Sequence, residues 1–150
     1  MTTDLILAVA HHLLVFSIAG VIAAEFALAR PGITRPALSA LGRIDGAYGG
    51  LAVAVILVGI GRVLFGLKGW EFYVYNWSFW GKMAAFAAVG LLSIPPTMRI
   101  IAWRRAAAAT GDYAVPETEI AKVRTFIKAE AAVFALILLF AAMMARGIGY

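Results

Sequence analysis

Four blocks of nearly uninterrupted apolar sequence, at residues 5–28, 48–65, 79–103 and 127–145, constrain this chain more than any other feature. A helix rises 1.5 Å per residue, so about 20 apolar residues cross a hydrocarbon core about 30 Å thick. Each block reaches that length, the second barely. A helix also satisfies every backbone N–H and C=O internally, which a bilayer demands. Four such blocks use most of the 150 residues and leave room only for short connections. The expected fold is all-α: an integral membrane four-helix bundle forming a single four-span domain over residues 1–150. Composition agrees, with 63% hydrophobic and 14% charged residues, against about 45–50% and about 25% in a soluble domain. The absence of cysteine excludes disulfides and thiolate metal sites. The first block is not expected to be a cleaved signal peptide, although Ala27-Leu28-Ala29 offers small residues at a cleavage-like spacing. No basic residue precedes its apolar run, Asp4 does, and the run exceeds the usual core of about 7–15 residues.

Positive charge sets the expected orientation. Arg30, Arg35 and Arg43 lie in or beside the first connection, and Arg99, Arg104, Arg105, Lys122, Arg124 and Lys128 around the third. In the second, "GLKGWEFYVYNW", Lys68 and Glu71 cancel. Short cytoplasmic loops hold the excess Lys and Arg, so connections one and three are expected to be cytoplasmic and both termini periplasmic. The formal net charge of +5 is thereby assigned to membrane orientation, with membrane lipids as partners and no nucleic acid. Arg99, Arg104 and Arg105 read as a phospholipid anchor, and Arg43 with Asp45 as a pair or cap at the membrane surface.

Local signals refine the boundaries. Thr34-Arg35-Pro36 and Pro116-Glu117 each look like the first turn of a helix, where proline loses no bond and acids are favoured. Both helices are expected to begin on the cytoplasmic surface. "AAAATGDY" at 106–113 reads as a turn or loop, and Pro95-Pro96 predicts a kink or break in the third span. The aromatic run from Trp70 to Trp80 reads as an interfacial belt, with the alternative that some of its rings wall a pocket.

Ionisable residues inside a span cost about 2.5–3.5 kcal/mol at mid-membrane on insertion scales and usually face the bundle interior. His11 lies roughly 9 Å into the first span, Arg62 a turn inside the outer end of the second, and Lys82 a turn inside the outer end of the third. The three share one shallow layer. His12, the only other histidine, points about 100° away from His11 on a helix, so the two cannot serve one metal from the same side. Heptad spacing aligns His11, Ile18 and Glu25 on one stripe; Lys82, Phe86, Val89 and Ser93 form another. An imidazole that ligates iron, with two cations for two propionates, suits haem b. His11, His12, Arg62 and Lys82 are the candidate binding residues, one histidine being the iron ligand. The plain alternative is that the histidine bonds a helix backbone while Arg62 and Lys82 snorkel to the headgroups.

The motifs "HHLLVF…AAEFAL", "GRIDGAYGGLAVA", "WSFWGKMAAF" and "AAMMARGIG" resemble those of a bacterial family of predicted membrane proteins, domain of unknown function 2214, over nearly the whole chain. The layout is more distantly similar to HemJ-type protoporphyrinogen oxidases, four-span proteins with an early histidine, a basic residue before span two and a tryptophan shortly before a lysine in span three. That resemblance implies b-type haem, with His11 or His12 as ligand, Arg43 as the basic residue and Lys82 as the lysine. It also implies multi-pass location in the bacterial inner, or cytoplasmic, membrane. The leading expectation is a haem-binding redox or tetrapyrrole-handling protein with a site near the periplasmic side. With two neighbouring histidines per chain, iron is five-coordinate, takes a non-histidine ligand such as Lys82 or Met83, or is shared across a homodimer. The alternative is a non-enzymatic bundle that binds lipid or stabilises a partner complex. A transporter ranks last, for no repeat or mid-depth charge is visible.

Overall fold

The computed structural model describes residues 2–111 and 113–149. They form helices α1 (Thr2–Leu28), α2 (Arg35–Phe65), α3 (Gly69–Val74), α4 (Trp77–Thr110) and α5 (Glu117–Ala145), with no strand among the described residues. Four of these are long and apolar enough to cross a membrane. At 27, 31, 34 and 29 residues, they run roughly 40–51 Å and overreach the hydrocarbon at one or both ends. Only 11–22% of each apolar window is buried inside the bundle. Leu5, Phe16, Leu57 and Leu91 stand on the outside, a surface that water would not tolerate at this scale and lipid does.

Short connections place consecutive long helices antiparallel. One end of the bundle holds the two connections at residues 29–34 and 111–116; the other holds both chain ends and α3. The tightest contacts pair α1 with α2 and α4 with α5, while α2–α4 and α1–α5 meet more loosely. The bundle is thus two hairpins laid side by side. Its fully buried large apolar residues gather toward the loop end: Leu41, Ile100, Trp103, Ile120, Val123 and Ile127. Trp103 donates its indole N–H to Glu119 Oε2 at 2.6 Å, and Glu119 Oε1 pairs with Arg99 at 3.3 Å. Arg99 is therefore engaged in the ion pair that joins α4 to α5.

The helix starts follow the local chemistry. Thr34 caps α2, its hydroxyl accepting from the Ala37 N–H at 3.4 Å, with Pro36 in the first turn. α5 begins behind Pro116 with Glu117 and Glu119 in its first turn. Two expectations do not survive. Residues 106–110 continue α4 to Thr110, and the chain turns only at Gly111, whose φ is +74°; alanine is the best helix former, and the run of four carries the helix past the expected loop. Asp112, part of the same expected turn, lies outside the described residues. Pro95 and Pro96 sit inside one unbroken α4. A proline removes one N–H and crowds one carbonyl, but packed neighbours hold the helix together across it.

The far end is closed by the chain terminus. Asn76 caps α4 by accepting from the Ser78 N–H at 2.9 Å. Ser78 Oγ donates to the Ile148 carbonyl at 2.8 Å, and the Trp77 N–H to the Gly149 carbonyl at 2.9 Å. The "RGIG" turn is thereby strapped across the start of α4. Gly149 has φ +101°, and a Cβ there would fall within 3 Å of Ser78, Asn76 and Trp77; only glycine fits.

Candidate functional site

Beside that strap lies a cavity of about 290 Å³, walled by the termini-end halves of α1, α2, α4 and α5 and by Tyr73 of α3. His11, Arg62 and Lys82 all line it. Each arrives there by simple helical register. On α1, His11 stands two turns before buried Ile18, on the stripe that continues to Ile22 and Glu25. On α2, Arg62 ends a face that runs through Asp45, Tyr48, Ala52, Val55 and Gly59. On α4, Lys82 begins the face of Phe86, Val89 and Ser93. Rows spaced three or four apart share one side of a helix.

His11 is half-buried, and its Nδ1 has no hydrogen-bond partner. Its ring lies against Gly59 of α2, where an added Cβ would sit 3.5 Å from Cε1. Arg62 is also half-buried, with Nε buried and unpartnered. The Lys82 ammonium lies 5.4 Å from the centroid of the Phe79 ring, within range of a cation–π contact. Arg62 and Lys82 both act electrostatically on His11 and Arg62 acts on Lys82. Among the described residues, no Asp or Glu lines the cavity. The remaining wall is apolar, including Ile18, Phe86, Phe134 and Met144, and it reaches the bundle surface at Ile60 and Leu64.

The structure separates the two histidines. His12 is exposed, donates from Nδ1 to the Ala8 carbonyl at 2.6 Å, and does not line the cavity. Its ring stands perpendicular to that of His11, the centroids 6.5 Å apart. Arg43 is exposed. Asp45 does not pair with it: Asp45 instead accepts from the Thr97 hydroxyl of α4 at 2.6 Å. Arg104, read as part of a lipid anchor, packs against Gly42, where a Cβ would collide with its side chain. Arg124 joins no carboxylate network; its guanidinium donates to the carbonyls of Phe26 and Ala29 at 2.8 Å and lies 3.8 Å over the Phe26 ring.

Tyr73 is the ring of the aromatic run that walls a pocket: it is buried and lines the cavity, whereas Trp70, Tyr75, Trp77 and Trp80 around it are exposed as a belt requires. A second cavity, about 660 Å³, opens between α2 and α4 nearer the loop end, with Asp45, Tyr48, Ser93, Thr97 and Arg104 in its wall. The signal for it was present in the polar and small residues recurring every three or four positions along α2. Ile18, Ile56, Phe86 and Phe134 line both cavities and form the apolar septum between them.

What the first cavity can do follows from its charge. Two cations and an imidazole, with no ion pair to a carboxylate among the described residues, in an apolar wall, favour an anion that carries its own apolar body. No curated protein and no solved structure matches the chain. The profile of one family, described as "Predicted membrane protein (DUF2214)", matches residues 3–149, and with four helices fit to span a bilayer the chain belongs to that family.

Proposed function

We propose that the protein binds haem b in the cavity at the termini end, on the periplasmic side of a bacterial inner membrane, and serves a redox or tetrapyrrole-handling role. The observation that carries this reading is the convergence of His11, Arg62 and Lys82 on one apolar cavity, with no acidic side chain among the described residues of its wall. The residues fit such a group. His11 offers an imidazole held against Gly59, Arg62 and Lys82 offer partners for two propionates, and Phe86, Phe134 and Met144 offer apolar contact. The enclosed 290 Å³ is at the floor of ligand pockets, about 300–1,000 Å³. Because the wall reaches the lipid-facing surface at Ile60 and Leu64, an apolar group larger than that volume is not shut out. Bound haem supplies a one-electron redox centre tuned by its axial ligand. The chain's own part is to supply one imidazole, neutralise the carboxylates and exclude water with an apolar wall. With His12 turned outward, a second imidazole could come only from a second copy of the chain. Protoporphyrinogen oxidation, the activity of the HemJ-type proteins whose layout it resembles, is the redox role to assay first.

The test is the absorbance spectrum of protein purified after haem-replete expression. A Soret band is expected, retained in His12→Ala and lost in His11→Ala, with reduced haem occupancy in Arg62→Gln and Lys82→Gln. A protein that folds and shows no Soret band, or a band indifferent to His11→Ala, ends the haem reading. The same unneutralised cations and the lateral opening at Ile60 and Leu64 favour one alternative ligand, an acidic lipid. Native mass spectrometry distinguishes it, as a phospholipid retained by the native chain and released from the Arg62→Gln, Lys82→Gln double variant.

A further inference from the structure

The loop-end half of the bundle buries acids that the first cavity does not use. Glu25 of α1 and Glu130 of α5 are 3% and 1% exposed, and each keeps one carboxyl oxygen buried without a hydrogen-bond partner. Asp45 of α2, 9% exposed, acts electrostatically on both. The Tyr48 hydroxyl reaches Glu130 and Ser93. Carboxyls from three of the four long helices thus lie within electrostatic reach of one another.

Among the described residues, no cation pairs with Glu25 or Glu130. The charged groups around them are otherwise engaged. Arg124 of α5 is held by the Phe26 and Ala29 carbonyls, and Lys128 lies 5.8 Å over the Phe26 ring. Arg104 of α4 faces Asp45 across the second cavity, and Arg43 of α2 is turned outward. Removing an unpaired carboxylate from water costs several kcal/mol, and two neighbouring carboxylates cannot both carry charge cheaply. Among the described residues, no three Asp, Glu or His side chains come close enough to hold a metal ion. The cation that fits between two carboxyls and a phenol without a coordination shell is the proton.

We propose that Glu25 and Glu130, the latter hydrogen-bonded to Tyr48, form a proton-binding site within the membrane, and that it exchanges protons through the cleft between α2 and α4 at Asp45 and Thr97. Tyr48 links the two parts: its ring lines the cleft and its hydroxyl meets Glu130. Ile18, Ile56, Phe86 and Phe134 line both cavities, so the cleft adjoins the first cavity across apolar side chains. Along α1, His11 and Glu25 are fourteen residues apart, about 21 Å, and the site stands whatever the first cavity holds.

Infrared spectroscopy of the full chain in lipid nanodiscs tests this. A protonated-carboxyl C=O stretch is expected at neutral pH, shifted in D2O, diminished in Glu25→Gln and in Glu130→Gln, and lost in the double variant. Tyr48→Phe keeps both acids and removes the hydroxyl, so it shifts the frequency of the band even where the Gln variants fold poorly. Gly46 lines the cleft and has open space where a Cβ would stand; Gly46→Leu fills it and slows deuterium exchange of the band. The site is overturned if the native protein has no such band or the double variant keeps it. The route is overturned if Gly46→Leu exchanges as fast as the native chain.

Discussion

At the scale of the residue, two adjacent imidazoles meet different fates because a helix turns about 100° between them. Neither composition nor depth distinguishes His11 from His12; only the direction of α1 toward α2 does. Gly59 is the contact that decides the position of the His11 ring. An alanine there places its methyl at ordinary van der Waals distance from Cε1 and removes a helix-interior glycine, so Gly59→Ala is expected to keep ligand binding and raise stability by about 0.5–1 kcal/mol. Gly59→Leu has no room to extend without displacing the imidazole, and is expected to abolish the Soret band while circular dichroism still reports a helical protein. A Gly59→Leu protein with a native spectrum would show that His11 is not the ligand. The depths of Arg62 and Lys82 were legible because the rise per residue is constant. Their freedom from any carboxylate was not, since that depends on where Glu25, Asp45 and Glu130 come to rest.

At the scale of the element, the helix starts at Arg35 and Glu117 were readable because capping is local chemistry among three or four consecutive residues. The ends were harder. Four alanines outlast a loop signal, and two prolines fail to break a helix that its neighbours hold. The strap of the chain terminus across α4 joins residues some seventy positions apart, and nothing in the spacing of "RGIG" announces it. Gly149→Ala combines a backbone conformation unsuited to a side chain with collision against Ser78, Asn76 and Trp77. A loss of about 1–3 kcal/mol is expected, measured by unfolding in mixed micelles. It should be accompanied by weaker ligand retention, because Met144, just before the strap, lines the first cavity. Unchanged stability would mean that the strap does not hold the end closed.

At the scale of the whole molecule, the distribution of Lys and Arg predicts that the two loop connections face the cytoplasm, an expectation that labelling can check. The chain has no cysteine, so single cysteines report on orientation without a background. Lys68→Cys is expected to react with a membrane-impermeant maleimide in intact cells, and Gly32→Cys only after the cells are opened. The reverse pattern would invert the orientation and move the first cavity to the cytoplasmic side.

Four spans, their antiparallel order and the common level of His11, Arg62 and Lys82 were determined by the sequence alone, because length, hydropathy and rise per residue need no knowledge of neighbours. Which side of each helix looks inward was decided only by the tertiary structure. In water an apolar stripe marks the buried face, but here the lipid-facing side is as apolar as the core, and the helices carry little amphipathic signal. Rotation is then set by close packing, by Gly59 against His11 and by Gly42 against Arg104. That packing turned His12 outward, left Arg62 and Lys82 facing an apolar hollow, and brought the acids of separate helices together.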